Sequence, residues 1–142
     1  MTGSIPYLVD TSAAARLLTS DDYDGRWGEA LTSGLIALCD LTEIEMLYSA
    51  RSRADREAKQ ERLRRLFPWT PMPDGVFTRA RETQQLLTDH GKHRSAGPVD
   101  LLVAAVAEMS GMTLLHYDRD FETIAAHTGQ PTCWLTEPGA AK

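Results

Sequence analysis

No uninterrupted apolar run in this chain approaches the ~18 residues that a membrane-spanning helix requires. Nor does a basic segment precede a long apolar stretch at the N-terminus, so no secretory signal is visible. Cysteine is scarce. The two present, Cys39 and Cys133, sit in short apolar segments and read as free, buried thiols, which argues against a disulfide scaffold and fits a cytoplasmic location. The four histidines lack the spacing of a zinc site, and no Ser-His-Asp arrangement can be placed. Positive charge is in deficit: 15 Lys and Arg against 20 Asp and Glu leave a net charge of -5. Spread evenly, that charge would disfavour nucleic acid. It ceases to do so where the acids are grouped to bind cations. The sequence shows no internal repeat and no second domain.

What remains is an ordinary globular composition, 42% hydrophobic and 25% charged over 142 residues. That length suits one domain with a real core, read here as residues 1–136 with a loose tail over 137–142. Ile5 to Val9 is a short apolar run ending on Asp10, a buried strand delivering a carboxylate to its C-terminal tip. A helix follows from about Thr11 to Leu18, capped by Asp10 or Ser12. Thr19 to Asp22 reads as a turn, and Tyr23 to Thr32 as a helix weakened by Gly25 and Gly28. Leu35 to Cys39 is a second buried strand. Thr42 and Glu45 match a capping box, and Ile44, Leu47 and Tyr48 then form an apolar helical stripe.

A charged helix spans Arg51 to Arg65, touching the body through Ala54, Ala58, Leu63 and Leu66. A brief strand is expected around Trp69 and Thr70, and a helix from Asp74 to Thr88. Pro98 opens a helix, Val99 to Met109, that is apolar around most of its girth and therefore central. Met112 to His116 is a strand, Phe121 to His127 a helix, and Thr132 to Leu135 a last strand. Strands alternating with helices imply an α/β fold with a mostly parallel sheet of four or five strands.

In such a sheet the strand C-termini and the helix N-termini share one edge, where ligands bind. Asp10, Asp118, Asp100 and one of Glu43 and Glu45 can all reach that edge. Two helical steps separate Glu43 from Glu45 by about 200°, so only one faces the site. Glu45 adjoins the apolar stripe and ranks first. Each acid alone has a simpler role: Asp10 as a helix cap, Glu45 in the capping box, Asp100 against a helix dipole, Asp118 in a turn. Gathered together, the four would repel one another and call for a hard cation such as Mg²⁺ or Mn²⁺.

Four segments carry a resemblance: Val9-Asp10-Thr11-Ser12-Ala13, Thr42 to Ala50, Pro98 to Ala105, and His116 to Phe121. In order and spacing they resemble the PIN-domain family, and more narrowly its VapC toxins, over residues 5 to about 135. The resemblance implies a three-layer α/β/α fold and a Mg²⁺-dependent endoribonuclease, with Mn²⁺ as a substitute. It also implies a toxin that is neutralised by a VapB-type antitoxin and is usually dimeric, within a toxin–antitoxin hetero-oligomer. Asp10, Glu45, Asp100 and Asp118 match the family's acidic quartet, with Asp10, Asp100 and Asp118 as metal ligands. Asp120 matches an extra acid of some members. Thr11, Ser12 and Glu43 are further candidates beside the quartet. His116 stands where the family usually has Thr or Ser, and its imidazole can hydrogen-bond a ligating carboxylate.

RNA must reach an acidic site, and two basic stretches offer phosphate contacts: Arg51 and Arg53 in the charged helix, and Lys92 and Arg94 in the loop before Asp100. Trp27, Tyr48, Phe67 and Trp69 are candidates to stack on bases or line an antitoxin groove, against a simpler role in the core. Two other functions compete. One is an inactive module of the same fold that binds RNA or protein. The other is a phosphatase using Asp10 as covalent nucleophile, disfavoured because Ser12 stands where that strategy needs a second acid.

Overall fold

The computed structural model describes residues 5–19 and 24–139. Four strands, β1 (Tyr7–Val9), β2 (Ile36–Ala37), β3 (Thr113–His116) and β4 (Thr132–Trp134), form one sheet in the order β2-β1-β3-β4. Every pairing is parallel, and β1 lies centrally, with Leu8 opposite Leu114 and Val9 opposite Leu115. Alternation of side chains along each strand divides the core into two. Leu8, Ala37 and Leu114 face α5 (Val76–Asp89), α6 (Pro98–Met109) and α7 (Arg119–Thr128). Val9, Ile36 and Leu115 face α1 (Thr11–Thr19), Trp27, and the packed residues of α3 (Asp40–Tyr48) and α4 (Arg53–Leu66). This is the expected three-layer α/β/α arrangement. Its most apolar helix is α6, which buries Leu101 and the run Val103 to Ala107.

Several local expectations need correction. Residues 24–32 begin as a π-helical turn, Asp24–Gly28, which Trp27 anchors by donating its indole N–H to the Leu135 carbonyl at 2.8 Å. Only Glu29–Thr32, α2, is α-helical, while part of the expected turn and helix start, residues 20–23, lies outside the described residues. No capping box forms at α3. The helix starts at Asp40 with Cys39 as N-cap, and the Thr42 hydroxyl turns inward to the Val9 carbonyl at 3.5 Å. Of the Ile44, Leu47 and Tyr48 stripe only Leu47 is buried: Ile44 is 66% and Tyr48 91% exposed, and α3 buries Thr42 and Met46 beside Leu47.

On α4, Ala54 and Ala58 are exposed and Leu63 alone is fully buried. The third strand reduces to a single bridge between Leu38 and Trp69. Both cysteines are free, Cys39 buried and Cys133 half-buried. Of the tail, residues 140–142 lie outside the described residues, and the Glu137 carbonyl accepts the Tyr117 hydroxyl at 3.4 Å.

Gly129 ends α7 with φ of 76°, the left-handed conformation that glycine adopts without steric cost. A Cβ there would meet no atom within 4 Å, so Gly129→Ala suffers only the backbone penalty. The expected loss is about 1–2 kcal/mol, read as a lower urea midpoint at unchanged slope.

Candidate active site

Asp10 follows β1 directly, and its backbone N–H donates to the Leu115 carbonyl at 3.1 Å, which fixes the carboxylate at the sheet edge. The side chain is 4% exposed and caps α1: Oδ1 accepts the Ala13 N–H at 3.0 Å. The Ser12 hydroxyl reaches both carboxylate oxygens at 2.8 Å and accepts the Tyr117 N–H, also at 2.8 Å. Ser12 therefore ties the tip of β1 to the tip of β3. Burial raises the Asp10 pKa to about 6, with the hydrogen bonds from Ala13 and Ser12 opposing it and Asp100 adding repulsion.

Asp100 lies in the first turn of α6. Its pKa is also raised to about 6, first by burial, then by repulsion from Asp118, with Asp120 and Glu45 adding to it. Asp118 is the N-cap of α7 and accepts the Asp120 N–H at 2.9 Å. Burial, then repulsion from Asp118, raises Asp120. Carboxylate oxygens of Asp100, Asp118 and Asp120 all lie within 4.8 Å of one another. Glu45 reaches the edge from α3, where its Oε1 accepts the Thr11 hydroxyl. The ranking of Glu45 over Glu43 therefore stands, although for a different reason than the exposed stripe supplied. Glu43 turns away to pair with Arg64 at 3.3 Å.

Among the described residues, none of these five acids forms a salt bridge. Like charges this close repel one another until a cation intervenes. An all-oxygen donor set of half-buried carboxylates fits a hard divalent ion. The tightest group differs in one member from the sequence-based ligand set. Asp120 belongs to it, whereas Asp10 stands beside it as the most buried carboxylate.

His116 is fully buried between the rings of Phe121 and Trp134, at 5.3 and 4.8 Å. Its Nδ1 accepts the backbone N–H of Asp118 at 3.2 Å, so it holds the main chain of a site residue rather than a carboxylate. Burial lowers its pKa, favouring the neutral ring that this contact needs. Thr11 and Ser12, secondary candidates from sequence, prove to orient two of the acids. Replacing Ser12 with Ala should lower activity about 10- to 100-fold, as is usual when the hydrogen-bonded support of a metal-site carboxylate is lost. Initial rates at saturating metal would measure it.

Arg51, Arg53, Lys92 and Arg94 are exposed, and Arg53 pairs with Glu57 at 3.2 Å. Of the four aromatics, Trp27 and Phe67 belong to the core, while Tyr48 and Trp69 are exposed. Sequence reading passed over Arg16, whose NH1 donates to the Ser12 carbonyl at 2.8 Å; its position one helical turn after Ser12 was the available signal.

The model of the PIN domain family matches residues 7–127. The chain is 44% identical over 136 residues to ribonuclease VapC21 of Mycobacterium tuberculosis, covering 95% of this chain and 97% of that one. The chain belongs to the VapC family of PIN-domain proteins. Ribonuclease VapC2 of the same organism is 41% identical over 132 residues, 92% of each chain. Among solved structures, the DNA-bound VapBC of Salmonella typhimurium superposes with a TM-score of 0.76 at 16% identity, covering 93% of this chain and 99% of that one. At that identity the likeness speaks for the fold alone.

Proposed function

We propose that this VapC-family protein is the toxin of a type II toxin–antitoxin pair. In this reading it is an endoribonuclease that hydrolyses RNA phosphodiester bonds with Mg²⁺, or Mn²⁺ in its place, and is neutralised by a VapB-type antitoxin. The observation that carries it is the convergence of Asp10, Glu45, Asp100, Asp118 and Asp120 from four separate parts of the chain on one sheet edge. Asp100, Asp118 and Asp120 would hold the cation, with Asp10 beside them. When bound, it supplies charge neutralisation for the phosphodiester and lowers the pKa of water.

The protein groups do the rest. Ser12 and the Ala13 N–H hold Asp10 in one orientation. Asp120's backbone N–H donates to Asp118 Oδ1 and orients that carboxylate. Thr11 occupies Glu45 Oε1, so Oε2 remains to accept a proton from the attacking water. A covalent role for Asp10 is disfavoured because its carboxylate is already engaged by Ser12 and Ala13.

The protein is proposed to act in the cytoplasm as a homodimer of single-domain chains, joined to antitoxin in a larger complex. Among the described residues, no helix is long and apolar enough to cross a membrane. Expressing the chain without antitoxin and sequencing new RNA 5′ ends tests the reading and finds the target. Discrete new ends that vanish with Asp118→Asn are expected; an unchanged set of ends would contradict it.

A further inference from the structure

We propose that Arg16 is a phosphate-binding residue of the substrate site, gripping a phosphate of the RNA next to the one that is cut. This inference rests on the ribonuclease reading. Arg16 lies on α1 one turn beyond Ser12, and its NH1 donates to the Ser12 carbonyl at 2.8 Å. Its guanidinium sits over the Tyr117 ring, 4.4 Å from the centroid. Ser12 contacts Asp10, and Tyr117 directly precedes Asp118. The cation is therefore pinned one residue from each of two site acids.

Fixed arginines are ordinarily neutralised by a carboxylate, yet among the described residues Arg16 forms no ion pair. Its Nε is buried without an acceptor, which costs free energy unless a ligand supplies one. An aromatic face and a backbone carbonyl hold the group in place without discharging it. A planar fork held in that way suits the paired oxygens of a phosphodiester. In a chain of net charge -5, a polyanion approaching the acids needs such a fixed cation at their rim.

The test measures binding of a fluorescein-labelled, mixed-sequence single-stranded RNA to Asp100→Asn protein in Mg²⁺ over a series of KCl concentrations. Adding Arg16→Gln should weaken binding roughly 10- to 100-fold and reduce the slope of log K against log salt by about 0.7, the value for one phosphate on a single strand. Arg16→Lys, which keeps the charge but not the fork, should keep the slope and lose part of the affinity. If Arg16→Gln lowers the melting temperature but leaves slope and affinity unchanged, the residue is structural and the proposal fails. It fails too if Arg16→Gln weakens only the antitoxin complex. Absence of RNA binding with Arg16 intact would overturn the ribonuclease reading along with it.

Discussion

Asp100→Asn is expected to reduce RNA cleavage by at least about 100-fold while leaving the protein folded. Losing even a group that supports a metal ligand typically costs 10- to 100-fold, and a ligand itself costs more. Asp100 is the acid on which the electrostatics converge, since Asp118, Asp120 and Glu45 all push its pKa upward. Asparagine keeps the shape and removes the charge. Without metal, the substitution therefore relieves repulsion instead of breaking a stabilising contact. At pH 7.5 in chelator, Asp100→Asn protein should melt no lower than the parent, and in Mg²⁺ it should gain little. Loss of activity accompanied by equal or greater metal-free stability is the signature of a site that trades stability for function. An acid that merely complemented the α6 dipole would behave oppositely, losing some stability and no activity.

The second large effect is a dependence of stability on pH that metal largely offsets. Folding raises the Asp10 pKa from 3.8 to about 6, chiefly through burial. Between those values the folded chain binds more protons than the unfolded one, so stability falls as pH rises from about 4 to about 6 and stays low above it. At 1.36 kcal/mol per unit, the Asp10 contribution is about 3 kcal/mol. Asp100 and Asp120 shift in the same direction and add to it. In chelator, then, these acids should make the protein melt lower at pH 7.5 than at pH 5, with buried His116, whose pKa burial lowers, opposing part of the drop. A divalent ion binds only the folded cluster and adds about 2.7 kcal/mol at 100 times its Kd, enough to close most of that gap. Asp10→Asn should make the metal-free profile shallower, leaving the part that Asp100 and Asp120 carry, because the asparagine oxygen can still accept the Ala13 N–H without burying a charge. A melting temperature that climbs from pH 5 to 7.5 in chelator would contradict the account.

Much of this was legible in the sequence because the strands are short, apolar and separated by helices of strong pattern. The run from Ile5 to Asp10 gave both a central strand and the acid at its tip. Pro98 and the apolar helix behind it placed Asp100 correctly. Where periodicity was read too literally, it failed. Ile44, Leu47 and Tyr48 share a helical face, but of the three only Leu47 is buried, beside Thr42 and Met46, and apolar spacing cannot tell a buried stripe from an exposed one. The capping-box pattern at Thr42 was lost to a helix that begins two residues earlier. The contacts that organise the site were out of reach for another reason. Thr11 with Glu45, and Ser12 with the Tyr117 N–H, join residues 34 and 105 positions apart. Arg16 carries no motif, and its importance comes from what surrounds it.

The central claim is that a cation held by these acids cuts RNA. It is tested most directly by incubating the purified protein with RNA carrying its own cleavage site in Mn²⁺, in chelator, and with Asp100→Asn in Mn²⁺. The account predicts discrete products in the first reaction alone, restored in the second when excess Mn²⁺ is added back. Equal cleavage in chelator, or by the Asp100→Asn protein, would contradict it.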